Sequence, residues 1–265
     1  MSENILVVKF GGGAGLDIEA CARDLALIAR SRPVVVVHGV SAALDALCAA
    51  RGVEVRTLTS PSGHSSRYTD TQTRDLFVEA SQSVGQQWVE ALAQHGIIAQ
   101  ATEPAVTGLR KDAVRAVVDG RVRIVRDDYT GLISGVDAAE ILSLLGRGIV
   151  PVIPPLARSI DGPLNIDGDR AAAAIAASLD ASELVILSNV RGLYRDHTDA
   201  GSLVSRVPLH DLPRALDWAA GRMKRKVIGA QEALDGGVRR VVIGDGRVTG
   251  AVSAALQGAG TEFLR

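Results

Sequence analysis

The chain has 265 residues, of which 47% are hydrophobic and only 3% are aromatic. This length suits one large α/β domain or two lobes, and the composition requires an aliphatic core. The formal net charge of -1 argues against bulk nucleic-acid binding, so any basic surface for a partner must be local.

No part of the sequence predicts export or membrane insertion. The first apolar run is interrupted by Lys9 and has no basic region before it, so we expect no signal peptide. No apolar run reaches the ~18 residues that a membrane-spanning helix needs. Cys21 and Cys48 lack metal-ligand spacing and are interpreted as small buried residues in a reducing compartment. These features together predict a cytoplasmic protein.

Strand-like and helical runs alternate along the chain, which is typical of a mostly parallel α/β sheet. The predicted strands are residues 5–10, 34–37, 97–101, 149–153, 184–188, 238–243 and 262–264, with a hairpin formed by 114–118 and 122–125 around Asp119 and Gly120. The predicted helices are 17–29, 42–51, 71–95, 170–179 and 215–235, with Asp17, Ser41 and Asp169 as N-cap candidates. We expect an N-terminal lobe (1–155) and a C-terminal lobe (156–265) that share one continuous sheet.

Lys9 ends the first predicted strand and is followed directly by Phe10 and three glycines, Gly11 to Gly13. Residues without Cβ let backbone N–H groups converge on a phosphate, and the lysine adds a positive charge. The alternative is an ordinary tight turn. A Walker motif is excluded because its lysine follows the glycines. A dinucleotide fingerprint fits poorly because His38, rather than an acid, ends the second strand.

A second lysine and a carboxylate could complete a phosphoryl-transfer site. Lys226 lies in the basic run 221–226, at the start of a helical stretch, and residues 165–169 precede an alanine-rich helix. Asp169 could orient the two lysines or simply cap this helix. Asp167 is the local competitor for either role.

Two further polar positions lie near predicted loops. His38 and Gly39 end the second strand, where an open α/β sheet binds ligands and the next helix offers N–H groups to an anion. His38 itself is interpreted as structural, because no dyad partner is near it in sequence. Arg67 has the forked donor geometry that grips a carboxylate, although a loop arginine can equally be just solvated.

Residues 110–126 contain six basic and two acidic side chains. The basic residues are Arg110, Lys111, Arg115, Arg121, Arg123 and Arg126. On a hairpin, Arg121 and Arg123 share one face, opposite Val122 and Ile124. The run is either a solvated sheet face or a docking surface for an acidic partner.

With these residues placed, the chain resembles the amino-acid kinase superfamily over essentially its whole length, and within it the acetylglutamate kinase group. It is most similar to the kinases that phosphorylate aminoadipate linked to LysW, a small acidic carrier protein. The resemblance is carried by residues 8–12, His38-Gly39, Arg67, 165–169, 187–193 and 221–226. The carrier-linked branch is favoured by residues 66–70, the basic hairpin, 128–131 and 221–226.

This resemblance implies a three-layer αβα sandwich with a mostly parallel central sheet, a homodimer, and ATP with Mg²⁺ held through the nucleotide phosphates rather than by protein ligands. It implies that Lys9 and Lys226 stabilise the transferring phosphoryl group and that Asp169 positions them. The implied substrate-binding residues are Gly39, Val40, Ser41, Arg67 and Asn165. The implied nucleotide-binding residues are Gly11, Gly12, Gly13, Ser188, Asn189, Gly192, Tyr194 and Lys224. The implied carrier-docking residues are Arg110, Lys111, Arg115, Arg121 and Arg123.

One position departs from the family pattern. Val40 stands where the family usually has another glycine. A β-branched side chain narrows the space and is poorly suited to positive φ. We therefore expect Val40 to affect substrate choice.

The sequence thus predicts an ATP-dependent kinase that converts the side-chain carboxylate of an amine-blocked, carrier-linked 2-aminoadipate or glutamate into an acyl phosphate, mainly by electrostatics and positioning. One alternative is a free N-acetylglutamate kinase without a carrier, and another is a catalytically weak nucleotide-binding paralogue, suggested by Val40. A dinucleotide-dependent oxidoreductase is disfavoured by the position of Lys9. The expected partners are the carrier and an amino dicarboxylate, with neither nucleic acid nor membrane.

Overall fold

The structure, a computed structural model, describes residues 4–61, 63, 65–118 and 120–265. The strands are β1 (Leu6–Phe10), β2 (Val34–His38), β3 (Thr57–Thr59), β4 (Ser65–Arg67), β5 (Ala99–Ala101), β6 (Val106–Arg110), β7 (Val114–Val118), β8 (Arg121–Val125), β9 (Gly131–Val136), β10 (Val150–Ile153), β11 (Leu156–Arg158), β12 (Leu164–Asn165), β13 (Glu183–Ser188), β14 (Arg206–Pro208), β15 (Arg240–Asp245) and β16 (Thr261–Leu264). The α-helices are α1 (Ile18–Ala29), α2 (Ser41–Ala50), α3 (Thr71–Gln94), α4 (Ala138–Gly146), α5 (Gly168–Ser178), α6 (Leu212–Trp218), α7 (Arg222–Asp235) and α8 (Ala251–Leu256).

Within the described residues, eight strands form the main sheet in the order β14-β16-β15-β13-β1-β2-β10-β5. The pairs are parallel except for β15 with β16, which is antiparallel. Central strands such as β1 and β2 are buried on both faces, which explains their nearly continuous apolar sequences. Strands from both sides of residue 155 therefore belong to one sheet, while the division into two lobes at that residue stays a prediction.

Alternate residues of β1 belong to two apolar cores on opposite faces of the sheet. Val7 joins the core formed with α5, α6 and α7. Leu6 and Val8 join the core formed with α1, α2, α3 and α8. This two-residue alternation places helices on both faces and confirms the predicted three-layer αβα fold class.

A second, smaller sheet lies next to the main one and was not predicted. Its order is β12-β11-β6-β9, and it contains strands on both sides of residue 155. The hairpin β3–β4 was also not predicted. The predicted hairpin β7–β8 is present in antiparallel register, although Asp119 at its turn lies outside the described residues.

Three local predictions were wrong. Ser41 does not cap α2, because the N-cap is Val40 and it forms no side-chain capping bond. Asp169 does not cap α5, because the side chain of Asp167 accepts the N–H bonds there. The predicted helix 215–235 is two helices, α6 and α7, separated at Gly221, whose φ of +53° suits glycine.

Candidate active site

Three charged side chains from three elements meet at the carboxyl end of the main sheet. Lys9 Nζ lies 2.7 Å from Asp169 Oδ1, and Lys226 Nζ donates to Asp169 Oδ2 at 3.0 Å. The exposed fractions of Lys9, Asp169 and Lys226 are 7%, 6% and 8%. The structure therefore brings the three residues predicted to be catalytic into one buried cluster.

The local sequence explains why these side chains converge. Lys9 follows Val7 by two positions, so it points to the α5–α7 face of the sheet. Asp167 satisfies the first N–H groups of α5 and leaves the Asp169 carboxylate available. At Gly229, a Cβ atom would lie 3.2 Å from the backbone C and O of Asp169, so glycine lets α7 approach α5 closely. Lys226 is one turn earlier on α7. We did not predict the role of Gly229, because only this packing reveals it.

The opposite charges in this cluster influence the pKa values of Asp169 and Lys226. Burial alone would raise the pKa of Asp169, but the charges and hydrogen bonds of Lys9 and Lys226 hold it well below its usual range. Burial lowers the pKa of Lys226, and the neighbouring charge of Lys9 lowers it further, while Asp169 opposes both effects. Two ammonium groups on one carboxylate leave the cluster with a net positive charge, which suits a phosphate.

Two glycine-containing loops lie against each other beside this cluster. Gly11 N–H donates to Leu187 O at 2.8 Å, and Gly39 N–H donates to Phe10 O at 2.8 Å. A Cβ atom on Gly12 would lie only 2.1 Å from the backbone nitrogen of Val40, so no side chain fits there. The glycines therefore allow two backbone segments to touch where β1 and β2 end.

The concern that Val40 requires positive φ was wrong. Its φ is −133°, a region that valine adopts without strain. Its side chain is buried and lines a cavity of about 180 Å³ with Leu16, Val84 and Trp88, on the α1–α3 side of the glycine loops. Val40 therefore contributes to the core on the face of the sheet opposite Lys9.

Arg67 lies at the end of β4 and contacts helix α2. Its Nη2 donates to Asp45 Oδ1 at 2.5 Å. Its Nη1 is buried, and no described residue accepts a hydrogen bond from it. One arm of the guanidinium is thus fixed, and the other remains available to a ligand carboxylate.

Asn165 is held in place by a buried polar chain. Its Nδ2 donates to Thr69 Oγ1 at 3.0 Å, and Thr69 N–H donates to Asp128 Oδ1 at 2.8 Å. Asp128 also accepts a hydrogen bond from Thr130. The motif 128–131 therefore connects the segments that carry Arg67 and Asn165.

Besides the three glycines after β1, the residues predicted to bind the nucleotide come from the C-terminal part of the chain. Ser188 ends β13 and is buried, and a Cβ atom on Gly11 would lie 3.4 Å from its Cα. Gly192 lies so close to Thr261 that a Cβ atom would be 2.5 Å from the hydroxyl oxygen. Asn189 and Lys224 are exposed, and Tyr194 is half-buried. Their contact with a nucleotide stays a prediction.

The predicted docking residues divide into two groups. Arg110 covers the ring of Tyr129 at 3.9 Å and donates to the carbonyl oxygen of Asp128. Burial lowers the pKa of Lys111, which lies within electrostatic reach of Asp128 and Arg225 beside the site. The second group is exposed on the hairpin and consists of Arg115, Arg121 and Arg123. Only this second group has the accessibility of a docking surface.

No described residue forms a hydrogen bond with either ring nitrogen of His38, so these residues give it no dyad partner. It is buried at the end of β2, and burial lowers its pKa to about 4. A neutral imidazole in the core agrees with the structural interpretation. Cys21 and Cys48 lie in described segments and are buried, without a disulfide.

Within the described segments, no group of three histidine, cysteine or acidic side chains is arranged to hold a metal ion. The same segments contain no helix that is both long and apolar enough to cross a membrane.

A mostly parallel α/β sheet with two lysines on one buried carboxylate, beside glycine loops, is suited to a phosphotransferase that acts through charge and position. The chain belongs to the amino acid kinase family, whose model matches residues 4–245. The prediction that it is a kinase of this family is confirmed.

Proteins of known name are similar to most of the chain. The [LysW]-aminoadipate kinase of Deinococcus radiodurans is 42% identical over 97% of this chain and 91% of its own length. The [LysW]-aminoadipate kinase of Thermus thermophilus is 40% identical over 97% of this chain and 99% of its own length.

Solved structures share the fold. N-acetylglutamate synthase from Neisseria gonorrhoeae has a TM-score of 0.80 and 27% identity over 99% of this chain, which spans 59% of that protein. Carbamate kinase from Giardia lamblia has a TM-score of 0.72 at 17% identity, over 100% of this chain and 99% of its own. At that identity the likeness concerns the fold alone.

Proposed function

We propose that the protein transfers the γ-phosphoryl group of ATP to the side-chain carboxylate of 2-aminoadipate whose amino group is linked to a LysW-like carrier protein. The single observation that carries the chemistry is the buried cluster of Lys9, Asp169 and Lys226. The acceptor is supported by two relatives, 42% and 40% identical, that are named for it.

In this reaction a carboxylate oxygen attacks the γ-phosphorus while the bond to the bridging oxygen of ADP breaks, giving an acyl phosphate and ADP. A carboxylate with an ordinary pKa of about 4 is already ionised at neutral pH, so no general base is needed. The protein instead has to balance negative charge that shifts between oxygens. Lys9 and Lys226 provide this balance in a buried setting, where fixed charges act strongly.

Asp169 positions the two lysines rather than reacting. Two buried ammonium groups without a carboxylate between them would repel each other. Asp169 forms an ion pair with Lys9 at 2.7 Å and accepts a hydrogen bond from Lys226 at 3.0 Å, which holds the two ammonium groups close enough to serve one phosphoryl group.

The acceptor chemistry fits Arg67 and Asn165. An aminoadipate with a blocked amino group keeps two carboxylates, one that reacts and one at the α-carbon. The Nη1 of Arg67 is buried and no described residue accepts a hydrogen bond from it, so it is suited to the α-carboxylate. The Asn165 amide is positioned by Thr69.

The ATP phosphates would lie against the glycine loops. Gly12 and Gly39 let the backbones of the two loops touch, and main-chain N–H groups gathered in this way can receive an anion. Ser188, Gly192, Tyr194 and Lys224 would border the rest of the nucleotide. Mg²⁺ would be held through the nucleotide phosphates and would neutralise part of their charge.

The carrier would dock on the hairpin β7–β8 through its exposed arginines. We also propose a homodimer in the cytoplasm. The two buried thiols, Cys21 and Cys48, agree with a reducing compartment.

The test is a hydroxamate assay, in which hydroxylamine traps the acyl phosphate, with three acceptors at equal concentration. We expect carrier-linked aminoadipate to react fastest, ahead of carrier-linked glutamate and N-acetylglutamate. A preference for free N-acetylglutamate would replace this proposal with a free N-acetylglutamate kinase. ATP binding without turnover on any acceptor would indicate a nucleotide-binding paralogue.

A further inference from the structure

The hairpin β7–β8 exposes an apolar face. Val117, Val122 and Ile124 have exposed fractions of 41%, 49% and 59%. Val117 pairs directly with Val122, and Ile124 pairs with Arg115. Directly paired residues of antiparallel strands point to the same side, and so do residues two apart. These four side chains therefore form one surface, which we call the outer face.

The opposite side of the hairpin has a different character. Ala116 is fully buried there, and its partner across the strands is Arg123. Arg121 shares that side by the two-residue alternation. β7 also contacts β3, the partner strand of β4, which ends at Arg67. The inner side thus faces the protein and the acceptor site, and the outer face remains open.

Packing against the described residues leaves these three neighbouring β-branched side chains exposed to solvent. Single exposed apolar residues are normal on any surface, but contiguous ones mark interaction sites. Specific interfaces combine an apolar centre with a polar or charged rim. Arg115 lies on the outer face itself. Arg121 and Arg123 lie on the opposite side of the hairpin, which is only two strands wide, so their charges are near the outer face.

We propose that the outer face is the contact surface for the carrier protein, with the apolar side chains supplying affinity and the arginines supplying attraction at a distance. This inference rests on the proposed function and adds a second requirement for the carrier, an apolar patch within its acidic surface. The occupant follows from charge. Among the described residues of segment 110–126, the exposed basic side chains are Arg115, Arg121, Arg123 and Arg126, against one exposed acidic side chain, Asp112. A strongly basic segment favours an acidic partner over a second copy of the same segment.

The two kinds of side chain should act on different rate constants. Charges that lie beside a contact mainly change the association rate and its salt dependence. Desolvated apolar contacts mainly change the dissociation rate. Replacing apolar residues of the outer face and reversing the inner arginines should therefore give distinguishable defects.

The experiment compares the double variant Val122→Ser/Ile124→Ser with wild type on carrier-linked aminoadipate and on free N-acetyl-aminoadipate. We expect the KM for the carrier-linked acceptor to rise roughly tenfold or more, given the apolar area removed. The kcat, the activity on the free acceptor and the salt dependence should stay the same. Leu27→Ser, at a 60% exposed position on α1, is the matched control and should have no effect. Ile124→Val should retain most of the wild-type KM.

A second arm uses Arg121→Glu/Arg123→Glu, which should slow association and flatten its salt dependence. The inference is overturned if the serine variant keeps the wild-type carrier KM, or if it loses activity equally on both acceptors, which would indicate a supporting role in the fold. A lower oligomer mass for the serine variant in sedimentation, with carrier KM unchanged, would assign the face to a second copy of the chain. A wild type that ignores carrier-linked acceptors altogether would instead refute the proposed function.

Discussion

Asp167 and Asp169 lie two residues apart at the start of α5 and have different tasks. The Asp167 carboxylate accepts N–H bonds from Asp169 and Arg170 at 3.0 and 3.1 Å, so it caps the helix. Because the cap is satisfied, the Asp169 carboxylate is free to contact Lys9 and Lys226. The sequence alone left both carboxylates as candidates for both tasks.

This division predicts different outcomes for the same substitution. Asp169→Asn should lower kcat about 100-fold or more, because two buried ammonium groups lose the charge that holds them together. Asp167→Asn should retain most activity, because asparagine is as good an N-cap as aspartate. Steady-state kinetics on both variants, with circular dichroism to verify folding, makes the comparison. Similar losses of kcat in both would contradict the division of roles.

The two lysines should affect the chemical step more than nucleotide binding. Lys9→Ala or Lys226→Ala should each lower kcat by about 100-fold or more, the usual scale for removing one fixed donor to a transition state. The KM for ATP should change much less. Lys224 is exposed on α7, the helix that also carries Lys226, and serves as the comparison. We expect Lys224→Ala to change the KM for ATP rather than kcat. Turnover near the wild-type rate in either of the first two variants would rule out the proposed mechanism.

Arg67 and Asp45 should act together on the acceptor. Arg67→Lys keeps the charge but loses the fork, so the KM for the acceptor should rise while ATP binding changes little. Asp45→Asn releases the arm that Asp45 now holds at 2.5 Å and should raise the same KM by a smaller factor. If acceptor KM is unchanged in Arg67→Lys, Arg67 is an ordinary loop arginine.

The parts of the fold that follow local sequence patterns could be predicted. β1, β2 and β13 are buried apolar runs, Asp17 caps α1 as expected, and the β7–β8 hairpin follows its Asp-Gly turn signal. These elements are determined by residues adjacent in sequence. The residue pattern suggested Lys9, Asp169 and Lys226 as one phosphoryl-transfer site but left Asp169 with two possible tasks, and the family resemblance assigned the roles. Because these residues are far apart in the chain, no local pattern shows that they meet.

The rest depends on contacts between distant segments. The small sheet of β6, β9, β11 and β12 is built from short strands with mixed patterns, and tertiary pairing decides their conformation. The close approach at Gly229 depends on where α5 lies. The cap at Asp167 depends on the residue at which α5 begins, which the sequence left open between two aspartates. The conformation of Val40 was judged from a family glycine, and the actual φ of −133° removes that concern.

Val40→Gly should therefore destabilise the protein without changing its choice of acceptor. The substitution removes a buried side chain that lines the cavity with Val84 and Trp88. Glycine also increases the conformational entropy of the unfolded chain. The free energy of unfolding should fall by roughly 2–4 kcal/mol. Chemical denaturation measures this loss, and the hydroxamate assay compares acceptors. A changed order of acceptors would show that Val40 reaches the substrate after all.

His38 should make the stability of the protein depend on pH below neutrality. Burial lowers its pKa from 6.5 to about 4, so the folded state binds fewer protons than the unfolded state as pH falls through this window. Its contribution to stability is present above the unfolded pKa and is lost as pH falls toward the folded pKa. At about 1.4 kcal/mol per pKa unit, the loss between pH 7 and pH 4.5 is about 2 kcal/mol.

The variant His38→Leu tests this contribution, because leucine has a similar volume and does not titrate. Between pH 7 and pH 4.5, the unfolding free energy of wild type should fall by about this amount relative to that of the variant. Denaturation of both proteins at the two pH values provides the measurement. A difference that stays constant with pH would mean that His38 can be protonated in the folded protein, which would make it a candidate for a role in the site.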